Sequence, residues 1–531
     1  MTSVRRLQLG PDAVPTALLL WGPFVAGVLL WGLHSPDDAF ITLRYARNLV
    51  HGHGPAFDPG ERVEGFSSPL HLVVDAVVVA LPGGHTLLKA KLASLACAVL
   101  ALVASSRLLR RAALAAPVEA AGLLLVGGSW PLAMHSASGL ETSLAAFVVM
   151  ALLATLLADG ASHPWRTGLL GVACVAVRPE GVAIVAAVAV AGLAVPGVAP
   201  PRARLRWAAV AAAGWAVLAL GRLAWFGALV PNTVVAKSQA PTAAIGPGLR
   251  YLATAASPWL DATGVRHPLG VVVAGLVVAL TAAGAVAASR SRRTLLPAAA
   301  AVVAQATVAL VAGGDWMSGA RLLVPVVPAL VLLQVTGADA VASTLGRRHP
   351  GTTAPRARAA LLAVLVVAAA ATAATQPRLP AWHSGWAFDD RSLTVAGGYD
   401  GTYWAAAPAL FRCARAGDLA AYSEMGYVAW ALPELRFLDL HGLVTAEVAR
   451  RSRPADRSTF GVAEPDWRHP HGPTVDEVLR RRPALLVIGG QDGRATVLGG
   501  RYRRVAALDD GRGGVVAYLR ADRTCAEGPQ G

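Results

Sequence analysis

Residues 13–35 read AVPTALLLWGPFVAGVLLWGLHS, an uncharged run that stops at Pro36-Asp37-Asp38. A helix needs about 20 apolar residues to cross a bilayer, so this run predicts a first membrane span. It is too long for the apolar centre of a secretory signal, and no small-residue cleavage site stands before the acidic pair. Arg5 and Arg6 lie ahead of it. Basic residues collect on the cytoplasmic side, which predicts an N-terminus inside and Asp37/Asp38 just beyond the outer face.

Uncharged runs recur at roughly 86–109, 117–138, 141–158, 166–178, 181–200, 206–227, 267–289, 294–313, 320–339 and 358–376, making about eleven spans. The stretch 67–81 is apolar but short, carries Asp75 and ends at Pro82-Gly83-Gly84. It is read as an interfacial or half-inserted helix, because a full crossing there would reverse every later loop. With that reading, the clusters Arg107/Arg110/Arg111, Arg202/Arg204/Arg206, Arg290/Arg292/Arg293 and Arg347/Arg348/Arg356/Arg358 all fall inside. Composition agrees: 55% of the 531 residues are apolar, only 15% are charged, and mean hydropathy is +0.51. The net charge of +15 then follows from topology, and no nucleic-acid partner is expected.

Residues 1–376 therefore form a membrane domain, and 377–531 a soluble domain on the outer side. In the latter, helices near 402–416 and 474–482 and strands near 419–423, 435–440, 484–488, 502–508 and 514–519 predict a small α/β fold. Cys413 and Cys525 lie in it and could form one disulfide in an oxidising compartment. Cys97 and Cys174 lie in apolar runs and read as small buried residues.

The polar residues that topology does not explain gather outside. In 37–50, Asp37 and Asp38 can cap a helix whose spacing brings Tyr45 near Asn48 and puts Arg44 and Arg47 one turn apart. Such a helix could be a capped interfacial element without chemistry. The Gly- and Pro-rich loop that follows holds Asp58, Glu61, Arg62 and Glu64 against the membrane, where solvation alone explains them poorly. His51 and His53 have no metal-ligand partners at useful spacing. Glu141, Arg178 and Glu180 sit at three span ends and could form one buried ionic cluster, either as an active-site wall or as a helix-register salt bridge.

The string DDAFITLRYARNLVHGHGPAFDPGERVEGFSSP (37–69) resembles the first extracytoplasmic loop of bacterial GT-C glycosyltransferases. It looks most like that of the terminal β-(1→2)-arabinofuranosyltransferases of actinobacterial cell-wall synthesis. Further matching motifs are Ser138-Gly-Leu-Glu141-Thr142, Arg178-Pro-Glu180, Leu229-Val-Pro-Asn-Thr233 with Lys237, Gly313-Gly-Asp315-Trp-Met317, Arg321, and Leu435-Arg-Phe-Leu-Asp439-Leu-His-Gly442. The resemblance implies a GT-C-like polytopic α-helical membrane protein with a C-terminal extracytoplasmic domain, in the bacterial plasma membrane. It implies a decaprenyl-phosphate-arabinose-like donor, a cell-wall polysaccharide acceptor and the bilayer as partners. Transfer needs a carboxylate to take the acceptor proton and cations for the departing phosphate. Asp37 or Asp38 is the expected base. Arg44, Arg47, Glu61, Glu64, Glu141, Arg178, Glu180, Lys237, Asp315 and Arg321 are expected around donor phosphate and sugar, and Trp316, Asp439 and His441 toward acceptor. No metal ligand set is expected, although the acidic pair leaves room for a divalent cation. The alternatives are a related transferase of another sugar such as mannose, or a transporter of lipid-linked sugar.

Overall fold

The computed structural model describes residues 13–32, 36–159, 163–195, 200–238, 241–256, 260–261, 264–265, 268–315, 317, 319–348, 353–375, 410–452, 472–489, 498–508 and 515–525. The chain is a polytopic helical membrane protein with a C-terminal sheet domain. Among the described residues, six helices are long and apolar enough to cross a membrane: Thr86–Arg111, Pro201–Phe226, Gly270–Arg290, Arg293–Val311, Arg321–Arg348 and Ala354–Thr375. Shorter apolar helices, Ala17–Trp31, Ala116–Gly127, Thr142–Leu157, Pro164–Val177 and Gly181–Leu193, occupy the other expected span positions.

Chain punctuation explains where several helices start and stop. Proline stands in the first turn of the helices beginning at Pro69, Ala116, Trp130 and Pro164, where its missing N–H costs nothing. The run expected as one span over 117–138 is two helices, Ala116–Gly127 and Trp130–His135, because Gly128-Ser129 interrupts it and Pro131 restarts it. Close packing uses small residues. A side chain on Gly284 would collide with the Leu333 carbonyl, and one on Gly337 with that of Leu280, so helices Pro268–Arg290 and Val327–Arg348 meet backbone to backbone.

Arginines cluster at one end of the bundle. Arg111 donates to the Ala154 carbonyl, and Arg292 donates to the Ala112 carbonyl and pairs with Asp339, which also takes Arg358 at 2.8 Å. Glu141, Arg178, Asp315 and Arg321 lie at the opposite ends of the same helices.

Outside the spans a two-residue hairpin, β1 (Leu260–Asp261) and β2 (Gly264–Val265), precedes helix Pro268–Arg290. The C-terminal sheet contains β3 (Leu419–Tyr422), β4 (Arg436–Asp439), β5 (Leu485–Gly489), β6 (Tyr502–Leu508) and β7 (Val515–Arg520), in the order β4-β3-β5-β7-β6. Strands β4, β3 and β5 are parallel, while β7 runs antiparallel to both β5 and β6. All five strands fall where the sequence pattern puts them. The expected helix near 402–416 begins in residues outside those described, and its described end, residues 411–416, is bend and turn rather than helix. Two short helices, Tyr427–Ala431 and Ala446–Arg451, are additions that the pattern did not show. Cys413 and Cys525, 112 residues apart, form a disulfide.

Alternation along the strands gives the sheet two buried faces. Leu438, Leu486, Ile488, Val516 and Tyr518 pack on helix Pro473–Arg481 through Val475 and Val478. Phe437, Leu485, Val487, Val515 and Ala517 share a second core with Ile41, Tyr45, Phe57 and Phe66 of the first loop. The first loop is thus an apolar face of the tail as well as an appendage of the spans.

Candidate active site

Helix Asp38–Val50 forms as its spacing predicts, with Asp38 in the first turn and Arg47 in the last. Arg44 and Arg47, however, point at the tail. Arg44 is 1% exposed. It donates to the Phe57 carbonyl at 2.9 Å, to Asp58 at 2.7 Å, to Leu435 at 2.8 Å and to Ala429, and it stacks on Phe57 and Phe437. Arg47 donates to the Trp430 carbonyl at 2.9 Å and lies over that ring. Burial lowers the Arg47 pKa to about 10.

The acidic loop behaves likewise. Asp58 also accepts the Phe437 backbone N–H at 2.6 Å. Glu61 pairs with Arg436 and Arg481 of the tail, and Glu64 takes the Arg222 guanidinium at 2.9 and 3.0 Å. Asn232, from the Pro-Asn-Thr turn, donates to the Gly442 and Leu443 carbonyls at 2.7 and 2.8 Å. The most specific part of the sequence motif is therefore a docking surface for the tail.

Asp37 joins this surface. Its carboxylate accepts the Gly426 N–H and the Tyr427 N–H, each at 2.8 Å, at the start of helix Tyr427–Ala431. A methyl group on Gly426 would collide with the Asp37 backbone carbonyl and with that carboxylate. Asp38 makes no hydrogen bond to the tail among the described residues, and its negative charge acts on Arg321, together with those of Asp315 and Glu141.

Arg321 begins the turn that leads into helix Val327–Arg348, and Gly313, Gly314, Gly319 and Ala320, all at positive φ, shape the preceding loop. Its Nε–H donates to Asp315 at 2.6 Å, and its other N–H groups have no hydrogen-bond acceptor among the described residues. Lys237, at the end of helix Asn232–Lys237, acts electrostatically on Asp315 and makes no hydrogen bond among the described residues. Burial pushes the Asp315 carboxyl up, but the charges of Arg321 and Lys237 outweigh it and hold the group below its ordinary value. Tyr251 accepts the Leu322 N–H at 3.0 Å and so braces the same turn.

Arg178 donates to Glu141 at 2.6 Å and to Glu180, the three-residue cluster that span ends suggested. Burial raises Glu141, and the charges of Arg178 and Arg321 more than reverse it. Beside this cluster His71 Nε2 lies 3.4 Å from Asp75 and 3.1 Å from the Gly139 carbonyl. Lys89 holds the Leu81 and Gly83 carbonyls at 2.8 and 3.2 Å.

Of the tail residues, Asp439 is used inside its own loop. It accepts the His441 and Val444 N–H groups at 2.8 and 2.9 Å. Burial drives His441 down to about 4, so it is neutral at physiological pH. Trp316 lies outside the described residues. The sequence reading missed Glu424, whose carboxyl senses the charges of Asp37, Asp38 and Asp439. A signal existed: Tyr422-Ser423-Glu424 ends a strand of a parallel pair, and ligands of such sheets bind outside the carboxyl ends of strands. Among the described residues, no group of three or more His, Cys, Asp or Glu side chains is placed to hold a metal ion.

No protein-family profile matches the chain, and no curated protein matches its sequence. Solved structures do share its fold. ArnT from Cupriavidus metallidurans bound to undecaprenyl phosphate superposes with a TM-score of 0.54 at 15% identity, over 96% of this chain and 98% of that one. The same protein in the apo state gives 0.51 at 15% identity, with the same coverage. The Archaeoglobus fulgidus oligosaccharyltransferase tethered to an acceptor peptide gives 0.50 at 12% identity, over 96% of this chain and 74% of that one. The chain shares the GT-C fold with these proteins.

Proposed function

We propose that the chain transfers a sugar from a polyprenyl-phosphate donor to a glycan hydroxyl at the outer face of the bacterial plasma membrane. From the motif resemblance, the sugar is arabinofuranose and the acceptor a cell-wall polysaccharide. One observation carries the reading: Asp38, Arg321, Asp315, Lys237 and the Glu141–Arg178–Glu180 triad form a single charged cluster at one end of the spans. Transfer breaks the bond between the anomeric carbon and the phosphate oxygen, forms one to the acceptor oxygen, and releases the hydroxyl proton. Asp38 takes that proton, because Asp37 is engaged by two tail N–H groups. Arg321 and Lys237, with N–H groups to spare, receive the phosphate. Arg178, Glu141, Glu180 and Asp315 hold that pair in place.

Arg44, Arg47 and Glu61 belong to the tail's docking surface in this reading and leave the donor-binding set, as does Glu64, whose carboxylate is held by Arg222 of helix Pro201–Phe226. Asp439 shapes the tail loop rather than meeting acceptor. The lipid phosphate bound by ArnT supports a polyprenyl-phosphate donor. Sidedness rests on the arginine-rich end opposite the site, which basic-residue bias assigns to the cytoplasm. The Cys413–Cys525 disulfide agrees, since such bonds persist in oxidising compartments.

The test uses membranes containing the full chain and labelled polyprenyl-phosphate sugars. Transfer from decaprenyl-phosphate arabinofuranose is expected, falling about 10²–10⁴-fold in Asp38→Asn. Transfer from a different sugar alone would change the donor. Transfer from none of them would overturn the enzyme reading.

A further inference from the structure

The tail ends two adjacent parallel strands at Tyr422 and Asp439, which are register partners, and the chain then turns through Glu424 to Gly426. At Gly426 it is pinned to the spans by the Asp37 carboxylate. The same bond fixes Glu424, two residues earlier, beside the first-loop acidic pair. Its carboxyl is half-buried and has no hydrogen-bond partner among the described residues. The charges of Asp37, Asp38 and Asp439, all of its own sign, act on it. An unpartnered carboxyl against like charges is costly to hold, so folding alone does not account for it.

Resting on the transferase reading above, we propose that Glu424 is the residue that reads the acceptor: its carboxyl hydrogen-bonds a hydroxyl of the incoming glycan and sets the attacking hydroxyl against Asp38. The ligand this geometry suits is a neutral sugar with neighbouring hydroxyls, each able to donate to one carboxyl. A cationic or apolar acceptor would leave Glu424 without its hydrogen bond. Burial, reinforced by the neighbouring carboxylates, raises the Glu424 carboxyl to about 8. At neutral pH it is therefore largely protonated and can donate as well as accept a hydrogen bond, which matches a hydroxyl ligand. The spans would then hold the donor while the tail's first strand turn selects the acceptor. Asp37, which joins the two, is a positioning residue.

Steady-state transfer by solubilised full-length protein tests this, with decaprenyl-phosphate arabinofuranose as donor and a short arabinofuranose oligosaccharide as acceptor. Glu424→Gln is expected to raise the acceptor KM at least tenfold, leaving the donor KM within twofold of wild type and the thermal midpoint at neutral pH no lower than that of wild type. Glu424→Asp, which keeps the carboxyl, should recover part of that loss. An acceptor KM within twofold of wild type in Glu424→Gln would overturn the proposal, as would a donor KM that rises in step. A wild-type chain without transfer activity would instead remove the transferase reading beneath it.

Discussion

Arg44 and Asp58 form an ion pair at 2.7 Å with both side chains 1% exposed, and each also bonds the tail backbone. Removing one partner leaves a buried charge uncompensated, which costs about 3–5 kcal/mol. Arg44→Ala and Asp58→Ala should each lower the thermal midpoint and speed proteolysis of the tail. Arg44→Lys should rescue little, because an ammonium cannot reach three carbonyls and a carboxylate together. A variant that melts like wild type would show the clamp to be energetically idle.

Asp37 and Asp38 are adjacent in sequence but should separate in phenotype. Asp37→Asn weakens charge-assisted bonds to Gly426 and Tyr427, each worth about 1.5–3 kcal/mol. Its main effect should be looser tail docking, and Gly426→Ala should reproduce it by displacing the same carboxylate. Asp38→Asn should lower transfer about 10²–10⁴-fold without changing the melt. Equal loss of activity at unchanged stability in both variants would contradict this division.

Arg178 serves two buried carboxylates, so Arg178→Gln strands both Glu141 and Glu180. A loss of about 3–5 kcal/mol is expected. Adding Glu141→Gln and Glu180→Gln should return part of it, which thermal unfolding of the single and triple variants would reveal.

The disulfide closes 112 residues of tail, and its removal should cost about 2–5 kcal/mol. Cys413→Ser and Cys525→Ser should lower the tail's melting temperature by the same amount, and reductant should do so only in the wild type.

Glu424 holds its proton more tightly folded than unfolded, with a pKa of about 8 against an ordinary 4.5. The stability linked to that proton is complete below about 4.5 and is lost as pH rises toward about 8. Asp439, raised by burial to about 7 from 3.8, slopes the same way. Melting temperature should fall between pH 5 and 8 on the scale these values set, and Glu424→Gln should flatten part of that fall. A slope identical in the variant would remove Glu424 as its source.

The spans and the tail strands were legible because their signals are local: uncharged runs, period-two alternation, and Pro or Gly at the ends. The Glu141–Arg178–Glu180 cluster was legible because charge is expensive at a span end, which makes convergence the economical solution. The acidic loop misled for a physical reason. Asp58, Glu61 and Glu64 read as ligand groups beside a membrane, but Phe437, Arg481 and Arg222 lie 379, 420 and 158 residues away from them. No local pattern announces a partner at such range. Glu424 stayed hidden because two of its charged neighbours, Asp37 and Asp38, come from the other end of the chain. Arg44 fits a phosphate in composition, yet its donors are consumed by carbonyls that only the folded tail presents.

The Asp37–Gly426 bond spans 389 residues, and it dictates an order of events during synthesis. At about 5–20 residues per second, the first outer loop waits roughly 20–80 s for the tail that completes it. Through that interval its acidic and arginine side chains have only water, lipid headgroups and one another. A chain interrupted before residue 426 would insert its helices yet leave the working end unassembled, so truncated products should be conspicuous to quality-control proteases.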